Sequence, residues 1–395
     1  MSEGGRLRRI NLALFIAGFA SFSLIYCTQP LLPAFAEEFG VGAAESSLAV
    51  SLTTACLAVS ILLASAVSES LGRRGLIFAA MALAALCNLL AGAAPSWEWL
   101  LAARAAEGLA LGGVPAVAMA YLAEETPPHR LGLTMGLYVS GTAFGGLIGR
   151  VATGGLAEGL SWRGALTAVG LVDLAAAAAF LVLLPASRRF VARKNLSARA
   201  HLQAWLGHLR TPRLPGLFLT GFLALGALMA VYNFIGFRLS QPPYGLNQAQ
   251  IGLIFFAYLG GVVAAFSAGA LADRRGRRPV MLAGAGFALG GLGLTLVAPL
   301  ILVVLGVLCV TVGFFMIHSA ASGWVGRLAL RDRGHASSLY LLAYYGGGSL
   351  LGSMGGWAWH RGAWPGVVGF CGLLFGLVLL LAVRMPAGDG STAAS

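Results

Sequence analysis

Charge is scarce in this chain. Asp, Glu, Lys and Arg together make up 10% of its 395 residues, whereas soluble domains carry about 25%. An ordinary soluble domain is therefore excluded. Cysteine is also sparse: Cys27, Cys56, Cys87, Cys309 and Cys371 all fall inside apolar runs, and none forms C-x-x-C. Neither a disulfide framework nor a zinc site is indicated, and the five read as small buried apolar residues. Catalytic signatures are missing as well. The sequence has no H-E-x-x-H and no G-x-S-x-G, and no Walker A motif, which argues against direct ATP coupling. Gly284, Gly286 and Gly290 resemble a dinucleotide-binding run, but the spacing is wrong and no strand precedes it. No cofactor and no metal are expected.

Apolar residues are abundant, at 58%, and Gly numbers 56. Small residues let membrane helices approach closely. Twelve spans of about 20–25 residues plus short loops account for the length. The spans read as 10–35, 46–69, 75–94, 97–122, 131–157, 162–185, 214–239, 248–271, 279–298, 300–326, 336–359 and 364–384. The expected fold class is an all-α membrane protein. Ala34-Phe35-Ala36 resembles a signal-peptidase site, but the run Ile10–Phe35 exceeds a signal h-region of about 7–15 residues, so span 1 is expected to be retained.

The net charge of +12 would suggest nucleic acid in a soluble protein. Its placement argues otherwise. Of 26 basic residues, 21 fall at the termini or on the loops of one face, and the other face carries Glu37, Glu38, Glu45, Glu98 and Glu158. The positive-inside rule then places both termini in the cytoplasm, with a lipid bilayer and no nucleic acid as partner.

One pattern occurs twice. Residues 65–74 read S-A-V-S-E-S-L-G-R-R and residues 269–278 read G-A-L-A-D-R-R-G-R-R, with Gly72 and Gly276 offset by 204. Each copy joins two long apolar runs. Two related halves are implied, an arrangement typical of transporters: a six-helix bundle over 1–186, a basic linker over 187–213, and a second bundle with a short tail over 214–395. In the linker, Leu202, Trp205, Leu206 and Leu209 follow i, i+3, i+4, i+7. They read either as an amphipathic helix on the inner leaflet or as a solvated basic connection. The tail after Met385 is expected to be disordered.

The stretch 269–278 fits the G-x-L-A-D-R-x-G-R-R motif of the major facilitator superfamily, which the chain therefore resembles. Arg104-Ala-Ala-Glu107-Gly108 resembles its R-x-x-Q/E-G pattern, and Gly141-x-x-x-Gly145 with Gly149 its antiporter-type span 5 motif. Tyr121-Leu122-x-Glu124-Glu125, Ser161-Trp162-Arg163, Asn233-x-Ile235-Gly236-x-Arg238 and 336–341 resemble the YnfM-type branch of twelve-span drug:proton antiporters. The chain departs from the motifs at Ser65, Glu69 and Ser70 in the first loop copy, and at Gly146 and Arg150 in span 5.

The resemblance implies two pseudo-symmetric six-helix bundles that rock about a central cavity. It also implies a gate made by Glu69, Gly72, Arg73, Asp273, Arg274, Gly276 and Arg277, with Glu69 meeting the start of span 11 and Asp273 the start of span 5. A carboxylate at a helix N-terminus is favoured by the helix dipole.

The intramembrane charges are functional candidates by default. Arg104 lies seven residues past Trp97, about 10 Å deep at 1.5 Å per residue. Glu107 follows at i+3, on the same face. They read as a proton-coupling pair or as a static ion pair. His318, on span 10, is the only mid-span histidine and is a second proton candidate; Asp173, on span 6, is a third. Arg150 and Arg238 read as snorkelling side chains or as walls of an anion pocket. With Tyr26, Gln29, Asn233, Tyr340 and Tyr344 they form the candidate substrate cavity.

The expected function is proton-coupled export of a small molecule or drug by a monomer in the cytoplasmic (inner) membrane. An importer or facilitator of an organic anion is the alternative, since intramembrane bases outnumber acids. A membrane-embedded enzyme is remote, because the six histidines are scattered.

Overall fold

A bilayer offers the backbone no hydrogen bonds, so a spanning chain must satisfy its own polar groups. This chain does so with helices. The computed structural model describes residues 3–187, 198–329 and 331–386, and no strand occurs among the described residues. Nine of the described helical stretches are long and apolar enough to cross a membrane. Two of them hold a pair of spans each. Pro128–Leu183 breaks its helical course at Ser161, at φ 62° and ψ 169°, and Arg333–Arg384 breaks at Gly362 and Ala363. With Arg277–Leu294 in the place of span 9, the twelve expected spans are all present.

Three spans are less simple than their hydropathy implies. Span 1 runs as Glu3–Tyr26, a 3-10 turn Gln29–Leu31 with Pro30 inside it, and Leu32–Phe39. Span 4 is divided at Gly112 into Trp97–Leu111 and Gly113–Glu125. Span 8 is divided into Gln248–Leu253, Ile254–Phe256 and Ala257–Arg275.

The chain falls into two compact units. The first takes Met1–Val41, Leu48–Asn195 and Leu246–Phe255, and the second Gly42–Ser47, Leu196–Gly245 and Phe256–Ser395. Their cores repeat. Leu14, Ile77 and Tyr138 are buried together in the first, and Phe218, Met281 and Tyr340 in the second. Leu14 and Ile77 precede their counterparts by 204 residues, the offset of the loop glycines. Each core also rests on one close helix pair. A Cβ on Gly145 of span 5 would overlap the Phe19 carbonyl of span 1, and a Cβ on Gly347 of span 11 would overlap the Phe222 carbonyl of span 7. Absence of a side chain is what lets these backbones meet. Away from the cores, Leu83, Leu86 and Leu90 form an exposed stripe on span 3, as a lipid-facing surface requires.

The linker contains a helix, Ala198–Arg210. Leu202, Leu206 and Leu209 are exposed. Trp205 turns away from them and donates its indole N–H to Ser338 Oγ at 3.2 Å. The expected disorder after Met385 lies, from residue 387 on, outside the described residues.

Candidate functional site

Span 1 creates the first half of the site by breaking. A helix that ends leaves carbonyls without i+4 donors. The course of Glu3–Tyr26 stops just before Cys27 and Thr28, and the carbonyls of Leu24 and Ile25 are taken by a side chain instead. Arg104 donates to the Leu24 carbonyl at 3.2 Å through both terminal nitrogens and to the Ile25 carbonyl at 2.9 Å. Its Nε donates to the Ala49 carbonyl of span 2 at 2.9 Å. Nη1 also donates to Glu107 Oε2 at 2.6 Å and to Cys27 Sγ at 4.0 Å. Both side chains of this pair are fully buried. Thr53 of span 2 closes the contact by donating to the Arg104 carbonyl at 3.0 Å.

A second acid joins them. Asp173 of span 6 is 1% exposed, with Ser23 and Glu107 among its electrostatic neighbours. Ser23 is the hydroxyl that faces its carboxyl, whereas Glu107 Oε1 has no donor. Cys27 and Asn88 complete the polar cluster: the Cys27 thiol points at Asn88 Oδ1 at 3.5 Å, and Asn88 Nδ2 donates to the Leu166 carbonyl at 2.7 Å. The cluster thus holds one guanidinium and two carboxyl groups, gathered from spans 4 and 6 under the broken end of span 1. Charge balance among the three requires one further proton. Asn88 is a lone amide in the middle of apolar span 3, a signal visible in the sequence.

Arg150 stands apart from this cluster. It is fully buried and does not snorkel to an interface. Its Nε donates to Gln29 Oε1 at 2.7 Å and its Nη1 to the Gly146 carbonyl at 2.6 Å. The guanidinium lies 4.0 Å from the centre of the Tyr26 ring and 5.2 Å from that of Phe255. Three of the cavity candidates, Tyr26, Gln29 and Arg150, are therefore brought together. The motif departures explain the site. Gly146 carries no side chain where the guanidinium folds back; a Cβ there would lie 3.2 Å from Arg150 Nη1.

In the second unit, His318 and Tyr340 meet at 2.9 Å through Nδ1 and the phenol oxygen. The Tyr344 ring lies 4.6 Å from the His318 ring, Phe314 is near-parallel to it at 5.8 Å and 6°, and Phe314 and Tyr344 are 6.2 Å apart. Asn233 is buried on span 7, close to Gly352 of span 11. Arg238 is separate from this group. It donates to the carbonyls of Thr295 and Val297 and to the Tyr244 hydroxyl, so it binds the turn between spans 9 and 10.

The loop motifs share one backbone geometry. Gly72 has φ 81° and ψ 151°, and Gly276 has φ 86° and ψ 159°. Both lie in a region that L-residues with a Cβ seldom enter, which is why the pattern keeps glycine there. Arg73 donates to Glu124 at 2.7 Å, and Arg6 pairs with Glu125. Glu124 and Glu125 are acids at an end otherwise dominated by bases, a second signal not used as a site above. Arg277 is buried beside Gly323 of span 10, and Arg274 is exposed. The side chains of Glu69 and Asp273 lie outside the described residues. Among the described residues no group of three or more His, Cys, Asp or Glu is arranged to hold a metal.

Comparison with known proteins agrees with this architecture. The sequence matches the Major Facilitator Superfamily over residues 14–351 and 240–393. It is 42% identical to the inner membrane transport protein YnfM of Escherichia coli (strain K12), over 95% of this chain and 90% of that one. It is 40% identical to the MFS-type transporter YybF of Bacillus subtilis (strain 168), over 96% and 95%. A more distant relative, at 27% over 64% of each chain, is a chloramphenicol resistance protein of Streptomyces lividans. In fold, the chain superposes with a TM-score of 0.78 and 15% identity on a bacterial homologue of the human lysosomal transporter Spinster, covering 97% of this chain and 95% of that one. The chain is a member of the major facilitator superfamily, a multi-pass membrane transporter built from twelve helices.

Proposed function

We propose that this transporter exports a small molecule across the cytoplasmic membrane in exchange for protons, working as a monomer with both termini in the cytoplasm. The buried cluster of Arg104, Glu107 and Asp173 carries the reading. Glu107 is paired with Arg104, and the Asp173 carboxyl is buried near Glu107. An unbalanced charge in such a place costs several kcal/mol. A proton that joins or leaves the cluster therefore changes the energy of the unit that holds it, which is the requirement for coupling to alternating access. Glu107 Oε1, which has no donor, and the Asp173 carboxyl are the places where that proton can sit.

The direction rests on likeness. The relative named for chloramphenicol resistance supports export of a drug-like molecule. The organic-anion alternative relied on spare intramembrane bases. Arg104, Arg150 and Arg238 each have several protein partners, which favours the proton-coupled reading over it. Inner-membrane location follows the likeness to YnfM. The gate contacts of Glu69 and Asp273 with the starts of spans 11 and 5 belong to the same proposal.

The test is flux in proteoliposomes with an imposed pH gradient, using a ligand found by thermal-shift screening of metabolites, dyes and drugs. Transport should follow the gradient and collapse with an uncoupler. Flux that ignores the gradient would remove proton coupling and leave facilitated diffusion.

A further inference from the structure

Three of the six histidines gather at one place that the transport site does not use. The linker helix Ala198–Arg210 presents His201, Trp205 and His208 on one face, at i, i+4 and i+7. That face lies against the first turns of span 11, within the second unit. His201 Nδ1 is 2.9 Å from His335 Nε2. Trp205 stands edge-on to the His335 ring at 5.8 Å and donates to Ser338. His208 Nε2 is 3.2 Å from the carbonyl oxygen of Asp332. Asp332 has φ 47°, and its carbonyl also accepts the backbone N–H groups of His335 and Ala336.

We propose that this contact is a pH-sensitive clasp, in which His201 and His335 hold the linker helix to the start of span 11 until both rings are protonated. Two imidazole nitrogens at this separation need one donor and one acceptor. The neutral pair supplies both. A pair with one added proton still does, because the imidazolium donates to the neutral ring. A second proton turns the acceptor into a donor, so two N–H groups face each other and two positive charges meet. The bond is then lost. Histidine is the side chain whose ordinary charge change falls in the range of cellular pH.

The other groups at the contact do not supply that response. His208 donates to a carbonyl whether neutral at Nδ1 or charged. Arg199 and Arg210 on the helix, Arg331 and Arg333 before span 11, and Arg213 at the start of span 7 keep their charge throughout. Asp332 is the one acid within the stretches 198–213 and 327–340. These charges set the background against which the second proton is taken up.

The clasp acts on a sensitive element. His335 precedes by five residues Tyr340, which bonds His318. Release of the linker therefore frees the first turns of the helix that carries one side of that contact. Acidification of the compartment bathing the linker is the signal.

Hydrogen–deuterium exchange of the full chain in phospholipid nanodiscs tests this, after correction for intrinsic exchange. Between about pH 7.5 and about pH 5.5, protection of peptides over 198–210 and 331–340 should fall by about tenfold or more. The double variant His201→Phe with His335→Phe keeps the ring contacts and should stay protected at both values. His208→Gln, which keeps a donor for the Asp332 carbonyl, should respond as wild type does. Unchanged protection in wild type, an equal loss in the double variant, or a response abolished by His208→Gln would each overturn the clasp.

Discussion

Arg104 and Glu107 stand one helical turn apart on span 4, joined at 2.6 Å with no exposed atom on either side chain. The pair is unequal in its other bonds. Arg104 reaches the carbonyls of Leu24, Ile25 and Ala49 as well, whereas Glu107 Oε1 has no hydrogen-bond donor. Span 4 is thus fastened to spans 1 and 2 through the base and not through the acid.

The two residues should therefore fail differently. Arg104→Ala strands two carboxyl groups and the broken end of span 1, with an expected loss of about 3–5 kcal/mol. Glu107→Gln keeps an acceptor beside the guanidinium and should fold with a melting temperature close to wild type. It should lose gradient-driven transport by about a hundredfold. Thermal unfolding in detergent and flux in proteoliposomes separate the two effects.

Asp173→Asn leaves Arg104 and Glu107 as a balanced pair with no place for an exchangeable proton. Flux of the variant should no longer change with external pH, although ligand binding persists. A variant that retains the full pH dependence of wild type would move the proton site elsewhere, with His318 the next candidate.

The glycines of the close helix pairs make a packing prediction. Gly145→Ala and Gly347→Ala force a methyl group into a backbone carbonyl of the neighbouring span, and each should cost about 1–3 kcal/mol. Gly155→Ala meets nothing within 4 Å and should be neutral or slightly stabilising. Melting temperatures of the three variants check this directly.

Gly72→Ala and Gly276→Ala place a Cβ at φ 81° and φ 86° with ψ of 151° and 159°, at a cost of about 1–3 kcal/mol each. The space around Gly72 is open, so its penalty comes from the backbone alone. The two substitutions should lower the melting temperature by similar amounts, because the two turns share one conformation. Very different penalties would mean that the repeat stops at sequence similarity.

Much of this architecture was legible in the sequence, for identifiable reasons. Span number and the two-fold repeat follow from hydropathy and from an offset of 204 residues, and the cores keep that offset at Leu14 with Phe218 and at Ile77 with Met281. Depth in the membrane singled out Arg104 and Glu107. What hydropathy does not encode is where a helix stops bonding to itself. The interruption after Tyr26, which exposes the carbonyls that Arg104 takes, is marked only by Thr28-Gln29-Pro30 and Pro33 inside the expected span 10–35. Facing was hidden. Arg150 near a span end looked able to reach water, but it turns inward onto Gln29 and Tyr26. Trp205 shares a heptad-like pattern with three leucines, yet it joins the histidine face, because its indole N–H finds Ser338.

Infrared difference spectroscopy of the reconstituted protein tests the central claim, that the cluster of Arg104, Glu107 and Asp173 holds one exchangeable proton. The account predicts a protonated-carboxyl carbonyl band in wild type at neutral pH that shifts in deuterium oxide and is absent from both Glu107→Gln and Asp173→Asn. No such band in wild type, or a band that survives unchanged in both variants, would contradict it.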